Sequence, residues 1–377
     1  MFWAVVGPEL VLSVAIGQYA SARRSVKRFN KLGHPEWTLR HAFFADMGGI
    51  LLQPMESKAF LVNSRQLAYL VQGGYVRYPE ISAEEIWDKS KADTMTKGIT
   101  LVQASWLVVQ LCGRAIEGLA VTTLELSAAA IVFCTFGTFV CWLHKPSDVQ
   151  KGITISSKAT TAQILRDAGE AASEPYRHTP LDFVAKQSFT CSYDVMGWFG
   201  MRCDSRERPL RRFPNDRFPD ISTYEKFALF CWTLAYAAFH LIGWAFEFPT
   251  RVELLLWRVS SLIVAGTTLF FWIFETVAAR HRFGRWDKYL IWLHLKQASP
   301  DLAIAEAKTP DDDDAFEQEQ KKSKPILIWE IALIMPVVFI YVAARTYMIV
   351  EVFASLRALP PAAFISVDFT QVFPHLM

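Results

Sequence analysis

Several ionisable and amide side chains sit inside apolar runs, and their spacing limits the chemistry they could do. Gln103, Gln110, Arg114 and Glu117 share one run. At 100° per residue they fall within about a 60° sector of a helix. Thr233, Tyr236, His240, Trp244 and Glu247 share another and occupy roughly an 80° sector. Arg345 lies on a third, one turn after Tyr341. Polar stripes of this kind must face protein or water, because hydrocarbon offers charge no partner. A buried carboxyl from Glu117, Glu125 or Glu247 suits general acid catalysis, and the imidazole of His240 suits proton handling. Gln103, Gln110, Arg114, Tyr236, Trp244 and Arg345 would bind and orient the polar groups of a substrate. Trp106, Tyr236, Trp244 and Trp257 would shape an apolar pocket able to stabilise a cationic intermediate. The structural alternative is that His240 is an interhelical hydrogen-bond partner and that Arg251, Glu253 and Glu351 are interfacial charges that snorkel or pair.

The elements that must position these residues are long apolar helices. Six runs approach the roughly 20 residues needed to cross a bilayer: 2–22, 98–119, 121–143, 227–246, 252–279 and 325–350. Of the 39 Lys and Arg, 34 fall in 23–97, 145–226 and 280–324. Basic residues crowding alternate connections mark the cytoplasmic side of a multi-pass protein. The first run lacks the basic start of a cleavable signal and is followed by Arg23, Arg24, Lys27 and Arg28, so it reads as an uncleaved helix. The expected fold is therefore all-α: a polytopic transmembrane bundle of about six spans, both termini non-cytoplasmic. The apolar stretch 41–53 is too short to cross and carries Asp46 and Gly48-Gly49, which suggests a re-entrant or interfacial segment. Ser82 followed by Glu85 is a capping-box pattern opening a surface helix over 81–97.

The domain reading follows the chain. Residues 1–144 hold three spans with a cytoplasmic surface segment at 23–97. A basic loop or small subdomain spans 145–226, with a transmembrane hairpin over 227–279. A cytoplasmic linker covers 280–324, acidic and disordered at 308–324, and 325–377 form the last span and a non-cytoplasmic tail. Depth along these spans places the acids and arginines toward the non-cytoplasmic half, as if around a cavity narrowing to His240, Gln103 and Gln110.

Composition removes several function classes. The basic stretches are what any cytoplasmic membrane face shows, so no nucleic-acid partner is implied. Cys191 and Cys203 lie in a loop assigned to a reducing compartment, and no CxxC pair is present, so neither disulfides nor a zinc site is expected. Asp311–Asp314 follows Pro310 and runs into Glu-Gln-Glu-Gln-Lys-Lys, the pattern of a solvated linker and not of a diphosphate-binding helix wall. There is no GxxxxGK[ST], HExxH or GxSxG. No cofactor and no metal is called for.

The strings WTLRHAFFADMGGILLQ (37–53), EEIWDKSKADTMTKGITLVQASWLVVQ (84–110), TTLEL (122–126), WLHKPSDV (142–149), MIVEVFASLRALPP (348–361) and VFPH (372–375) carry a resemblance. The chain is similar to a broad, multicopy group of uncharacterised multi-pass membrane proteins of filamentous fungi. That resemblance implies a fungal protein of an endomembrane, such as the endoplasmic reticulum, or of the plasma membrane, and offers no activity. Two readings stand. One is a metal-independent, membrane-embedded enzyme acting on a lipidic or prenylated small molecule through the cavity. Its logic resembles fungal membrane-bound terpene cyclases of secondary metabolism in kind, without their motifs. The other is a channel, transporter or sensor using the same stripes as a pathway. In either, the bilayer is the constant partner.

Overall fold

The computed structural model describes residues 7–88, 91–146, 148–149, 152–173, 175–176, 178–184, 209–210, 213, 219, 221–282 and 328–367. Cys191, Cys203 and the acidic linker 308–324 lie outside these residues. The chain divides into two compact units. One, the sheet unit, comprises residues 7–105 and 135–225; the other, the helix unit, comprises residues 1–6, 106–134 and 226–377.

The sheet unit begins with helix α1 (Pro8–Lys31). Its buried positions Leu12, Ala15, Ala22, Ser25 and Phe29 recur at helical spacing. A side chain at Gly17 would meet the Pro219 carbonyl at 2.8 Å, so only glycine fits there. Helix α2 (Leu39–Asp46) opens with a box in which the Thr38 amide donates to His41 Nδ1 at 3.1 Å. Nδ1 is thus the acceptor, and Nε2 carries the proton toward the Ile81 carbonyl at 2.8 Å. Burial pushes the His41 imidazole below its usual range, outweighing the Ile81 carbonyl, which favours the charged form.

The 41–53 run is not a re-entrant segment. Its first half belongs to α2; Gly48, at φ 83, then reverses the chain into strand β1 (Ile50–Gln53). β1 is the centre of a three-stranded sheet. It pairs antiparallel with β2 (Phe60–Leu61), and parallel with β3 (Ile153–Ser156) in the register Ile50 to Ile153. An apolar helix end and a buried strand add up to one continuous apolar run, which is why the sequence alone reads as a single segment. The sheet is the departure from the all-α expectation.

Helix α3 (Ser64–Gln72) starts with a reciprocal Asn63–Gln66 box at 2.8 and 3.0 Å. The Gln66 amide also donates to the Thr179 hydroxyl and the Leu181 carbonyl. Asp46 accepts from the Ser64 amide at 3.0 Å and the Ser21 hydroxyl at 3.2 Å. Around these networks close Phe29, Trp37, Ile50, Leu52, Leu67 and Ile155, with the Phe29 and Trp37 rings stacked at 4.1 Å. The Ser82 hydroxyl accepts from the Glu85 amide and caps α4 (Ala83–Asp88), as expected. Helix α7 (Thr161–Ala168) packs on the same core through Ile164.

The helix unit is built from the later part of α5 (Lys91–Ile116), the earlier part of α6 (Thr123–Trp142), α8 (Thr223–Ile242), α9 (Arg251–Arg282) and α10 (Ile328–Ala354). Five helical stretches are long and apolar enough to cross a membrane: Met95–Ile116, Thr123–Trp142, Thr223–Ala245, Arg251–Ala278 and Ala332–Ala358. Among the described residues the candidates number five; the expected span at 2–22 begins outside them. Within α1 the apolar stretch is interrupted early by Gln18, then by Arg23 and Arg24.

The two hairpin turns have local causes. Gly118, at φ 66, ends α5, and the Leu119 amide returns to the Arg114 carbonyl. Thr122 and Glu125 then form a reciprocal box that starts α6. At the second turn the Thr250 hydroxyl accepts from the Glu253 amide. The unit's core gathers Leu126, Ala237, Trp257, Val264, Ala344 and Met348, with Trp257 fully buried. Gly243 permits this, because a side chain there would lie 2.9 Å from Trp257 Nε1.

Candidate functional site

The helix unit buries one polar cluster that links α8, α9 and α10. Arg345, on α10, is only 5% exposed. Its guanidinium donates to His240 Nε2 at 2.8 Å and to the Tyr236 hydroxyl, and it also lies 5.2 Å from the Tyr236 ring centre. Tyr236 and His240 are one turn apart on α8, so one face presents both acceptors. A guanidinium has no lone pair to offer, so Nε2 must accept and the imidazole proton must sit on Nδ1. That Nδ1 is buried and meets no acceptor with hydrogen-bonding geometry among the described residues. Only the Tyr236 and Ala237 carbonyls of its own helix interact with it, short of that geometry.

The main chain of His240 is used as well. Its carbonyl lies in the last turn of α8, where helix carbonyls have no intrahelical donor. Trp257 Nε1 and the Ser261 hydroxyl of α9 supply donors at 3.2 and 3.3 Å. Ser261 and Trp257 are themselves one turn apart. The imidazole is therefore fixed at both its ring and its backbone by three helices.

A second cluster joins α9 to α10. The Tyr347 hydroxyl lies 3.1 Å from Glu351 Oε2 and 3.3 Å from the Glu253 carbonyl, and Arg357 pairs with Glu253 Oε1. Glu351 is buried, and its Oε1, like Glu253 Oε2, has no partner among the described residues. Both acids read from sequence as interfacial charges. The burial of Glu351 depends on α9 and α10 packing side by side, which no single-helix pattern reveals.

The remaining sequence candidates are dispersed. Arg114 is buried, and its guanidinium donates to the carbonyls of Ala120, Ala362, Ala363 and Ile365. Glu125 lies 3.6 Å from it while also capping α6. Glu117 is half-buried beside the turn. Gln103 and Gln110 are exposed, so the stripe expected to face the bundle interior turns inward only at Arg114. Glu247 is exposed in the α8–α9 turn. Trp244 is exposed too: Arg258 lies 5.0 Å from its ring centre and donates to its carbonyl. The structure thus brings Tyr236, His240 and Arg345 together, and separately Arg114 with Glu125. Trp257, foreseen as a pocket wall, instead positions His240, and Ser261 was missed. Among the described residues, no three His, Cys, Asp or Glu gather in a metal-binding group.

Long apolar helices with a buried polar cluster fit the class of integral membrane proteins. The chain belongs to DUF8562, a family of unknown function whose model matches residues 1–166 and 226–376. Tyr236, His240, Trp257 and Arg345 all lie within the matched residues. No curated protein and no solved structure matches the chain.

Proposed function

We propose that the protein is a membrane-embedded enzyme acting on a lipidic or prenylated small molecule, with His240 as its electrophilic group. The observation that carries this reading is the buried Nδ1–H of His240, oriented by Arg345 and met by no acceptor with hydrogen-bonding geometry among the described residues. Buried donors without acceptors are rare in folded proteins and concentrate where a ligand supplies the missing atom. An oxygen on the substrate's polar end is the complementary group. A neutral imidazole donating to such an oxygen stabilises negative charge developing there without giving up its proton. The guanidinium on Nε2 strengthens the donor by drawing electron density from the ring. Tyr236 and Arg345 would orient the same polar end, and the apolar helices would hold the lipidic remainder.

The channel or transporter reading has less support, because Gln103 and Gln110, two of the residues expected to line a pathway, are exposed. The enzyme reading is tested with His240→Gln and His240→Ala in the full chain. Both are expected to remain monodisperse in detergent, while lipid extracts of expressing cells lose the product that wild type generates. A well-folded His240→Ala whose lipid profile and growth match wild type would rule the site out.

A further inference from the structure

Two acids at the junction of α9 and α10 carry more negative charge than the described residues around them answer. Glu351, on α10, is only 4% exposed, and the side chain of Glu253, near the start of α9, is 19% exposed. One oxygen of each carboxylate is met: Glu351 Oε2 by the Tyr347 hydroxyl and Glu253 Oε1 by Arg357. The other oxygen of each, Glu351 Oε1 and Glu253 Oε2, is buried and meets no donor among the described residues. The two carboxylates lie within electrostatic reach of each other, and among the described residues Arg357 is the cation that acts on the pair. Two acids against one guanidinium leave a single negative charge over. In a water-poor helix junction such a charge is strongly disfavoured until something neutralises it.

The oxygens at the junction set the chemistry of what does so. Tyr347 and Glu351 are one turn apart on α10, so the hydroxyl stands beside the acid. The same hydroxyl lies 3.3 Å from the Glu253 carbonyl, which adds a main-chain oxygen of α9. Carboxylate, carbonyl and hydroxyl oxygens together suit a hard cation. One unit of positive charge restores neutrality, and a divalent ion would overshoot it. A proton on either acid would answer that acid's free oxygen and leave the other unmet, whereas a metal ion takes several oxygens at once. Glu253 is the third residue of the candidate span Arg251–Ala278, and Arg357 is half exposed, so the junction lies near water. We propose that the junction binds one alkali metal ion, Na+ or K+, through the free oxygens of Glu253 and Glu351, at a site separate from that at His240. The bound ion ties α9 to α10.

The test follows the thermal midpoint of the full-length protein in detergent at mildly alkaline pH. Sodium or potassium chloride is exchanged for N-methyl-D-glucamine chloride at constant ionic strength, so that screening stays the same. The wild-type midpoint is expected to rise along a saturating curve with one or both alkali ions, as a ligand of the folded state requires. Glu351→Gln keeps the shape and removes the surplus charge, and should weaken the apparent ion affinity at least about tenfold. Glu253→Gln should do the same, and it decides the matter if Glu351→Gln fails to fold. A wild-type midpoint indifferent to both ions would overturn the proposal, whether a proton or another part of the chain neutralises the pair. An ion response that survives both substitutions unchanged would overturn it as well, because the ion then binds elsewhere.

Discussion

The sheet unit and the helix unit handle buried polarity differently. In the sheet unit several helix starts are closed locally, Asn63 by Gln66, Thr179 by Asp182 and His41 by Thr38, beside longer links such as Gln66 to Thr179 and Lys145 to Gln18. Such caps tie off helix ends and leave the ring and hydroxyl partners little to do beyond holding shape. In the helix unit the bonds run between helices, from Arg345 to Tyr236 and His240, from Trp257 to His240, and from Thr123 to Ser355. Four of its buried atoms, Trp232 Nε1, His240 Nδ1, Glu253 Oε2 and Glu351 Oε1, meet no partner among the described residues. The contrast is incomplete, since the Tyr78 hydroxyl and Trp142 Nε1 of the sheet unit are likewise buried without one. It still separates a part built for shape from a part whose polar atoms are held open by several helices at once.

The largest expected effect lies at the junction of α8 and α9. Trp257→Ala removes a fully buried ring and the donor to the His240 carbonyl. It should cost about 3–5 kcal/mol of stability, read as a lower thermal midpoint in detergent. Trp257→Phe keeps most of the packing and should cost about 1 kcal/mol. A small loss in Trp257→Ala would mean that the interhelical bonds do not organise this unit.

A cap in the sheet unit should cost less and do so without touching the chemistry. Asn63→Ala removes an acceptor from α3 and should lower stability by about 1 kcal/mol. If His240 has the proposed role, lipid product formation should be unchanged at a temperature where the variant is folded. Loss of product under those conditions would dissolve the distinction between the two units.

The smallest effect is the pH dependence that His41 contributes. Its folded imidazole titrates below its ordinary value of 6.5, mainly through burial. A group depressed in this way contributes stability above pH 6.5, and that contribution fades as pH falls below it toward the folded value. Trp37, whose ring lies 5.2 Å from that of His41, offers a fluorescence signal for the loss. His41→Gln should flatten the stability slope below pH 6.5 relative to wild type. An unchanged slope would place the acid sensitivity elsewhere.

How much of this was legible depends on what periodicity encodes. Charges inside apolar runs are conspicuous, so Tyr236, His240 and Arg345 could be named before their meeting was visible. Periodicity also put Gln103 and Gln110 on one stripe with Arg114. It fixes the angle between residues but not the rotation of the helix against its neighbours, and that rotation leaves the two glutamines outward. The main-chain carbonyls that Arg114 meets, mostly about 250 residues later, are not announced by side-chain patterns. Gly48-Gly49 did mark the turn that divides 41–53. The strand beyond it could not be recognised without β3, a short run in a long connection.

That parallel pairing has a consequence for how the chain is made. β1 leaves the ribosome about a hundred residues before β3, and the stretches Met95–Ile116 and Thr123–Trp142 emerge in between. Two strands can meet only on the same side of a bilayer, which requires an even number of crossings between them. A hairpin of two spans meets that parity; a nascent chain that threads only one of them strands β3 on the wrong side. If both stretches cross, the far edge of β1 is completed only once β3 has returned to its side, while β2 and most of the core around Ile50 and Leu52 precede β3 in the chain. A chaperone or degradation factor that binds exposed apolar strands would distinguish correctly threaded chains from failed ones by this one missing strand.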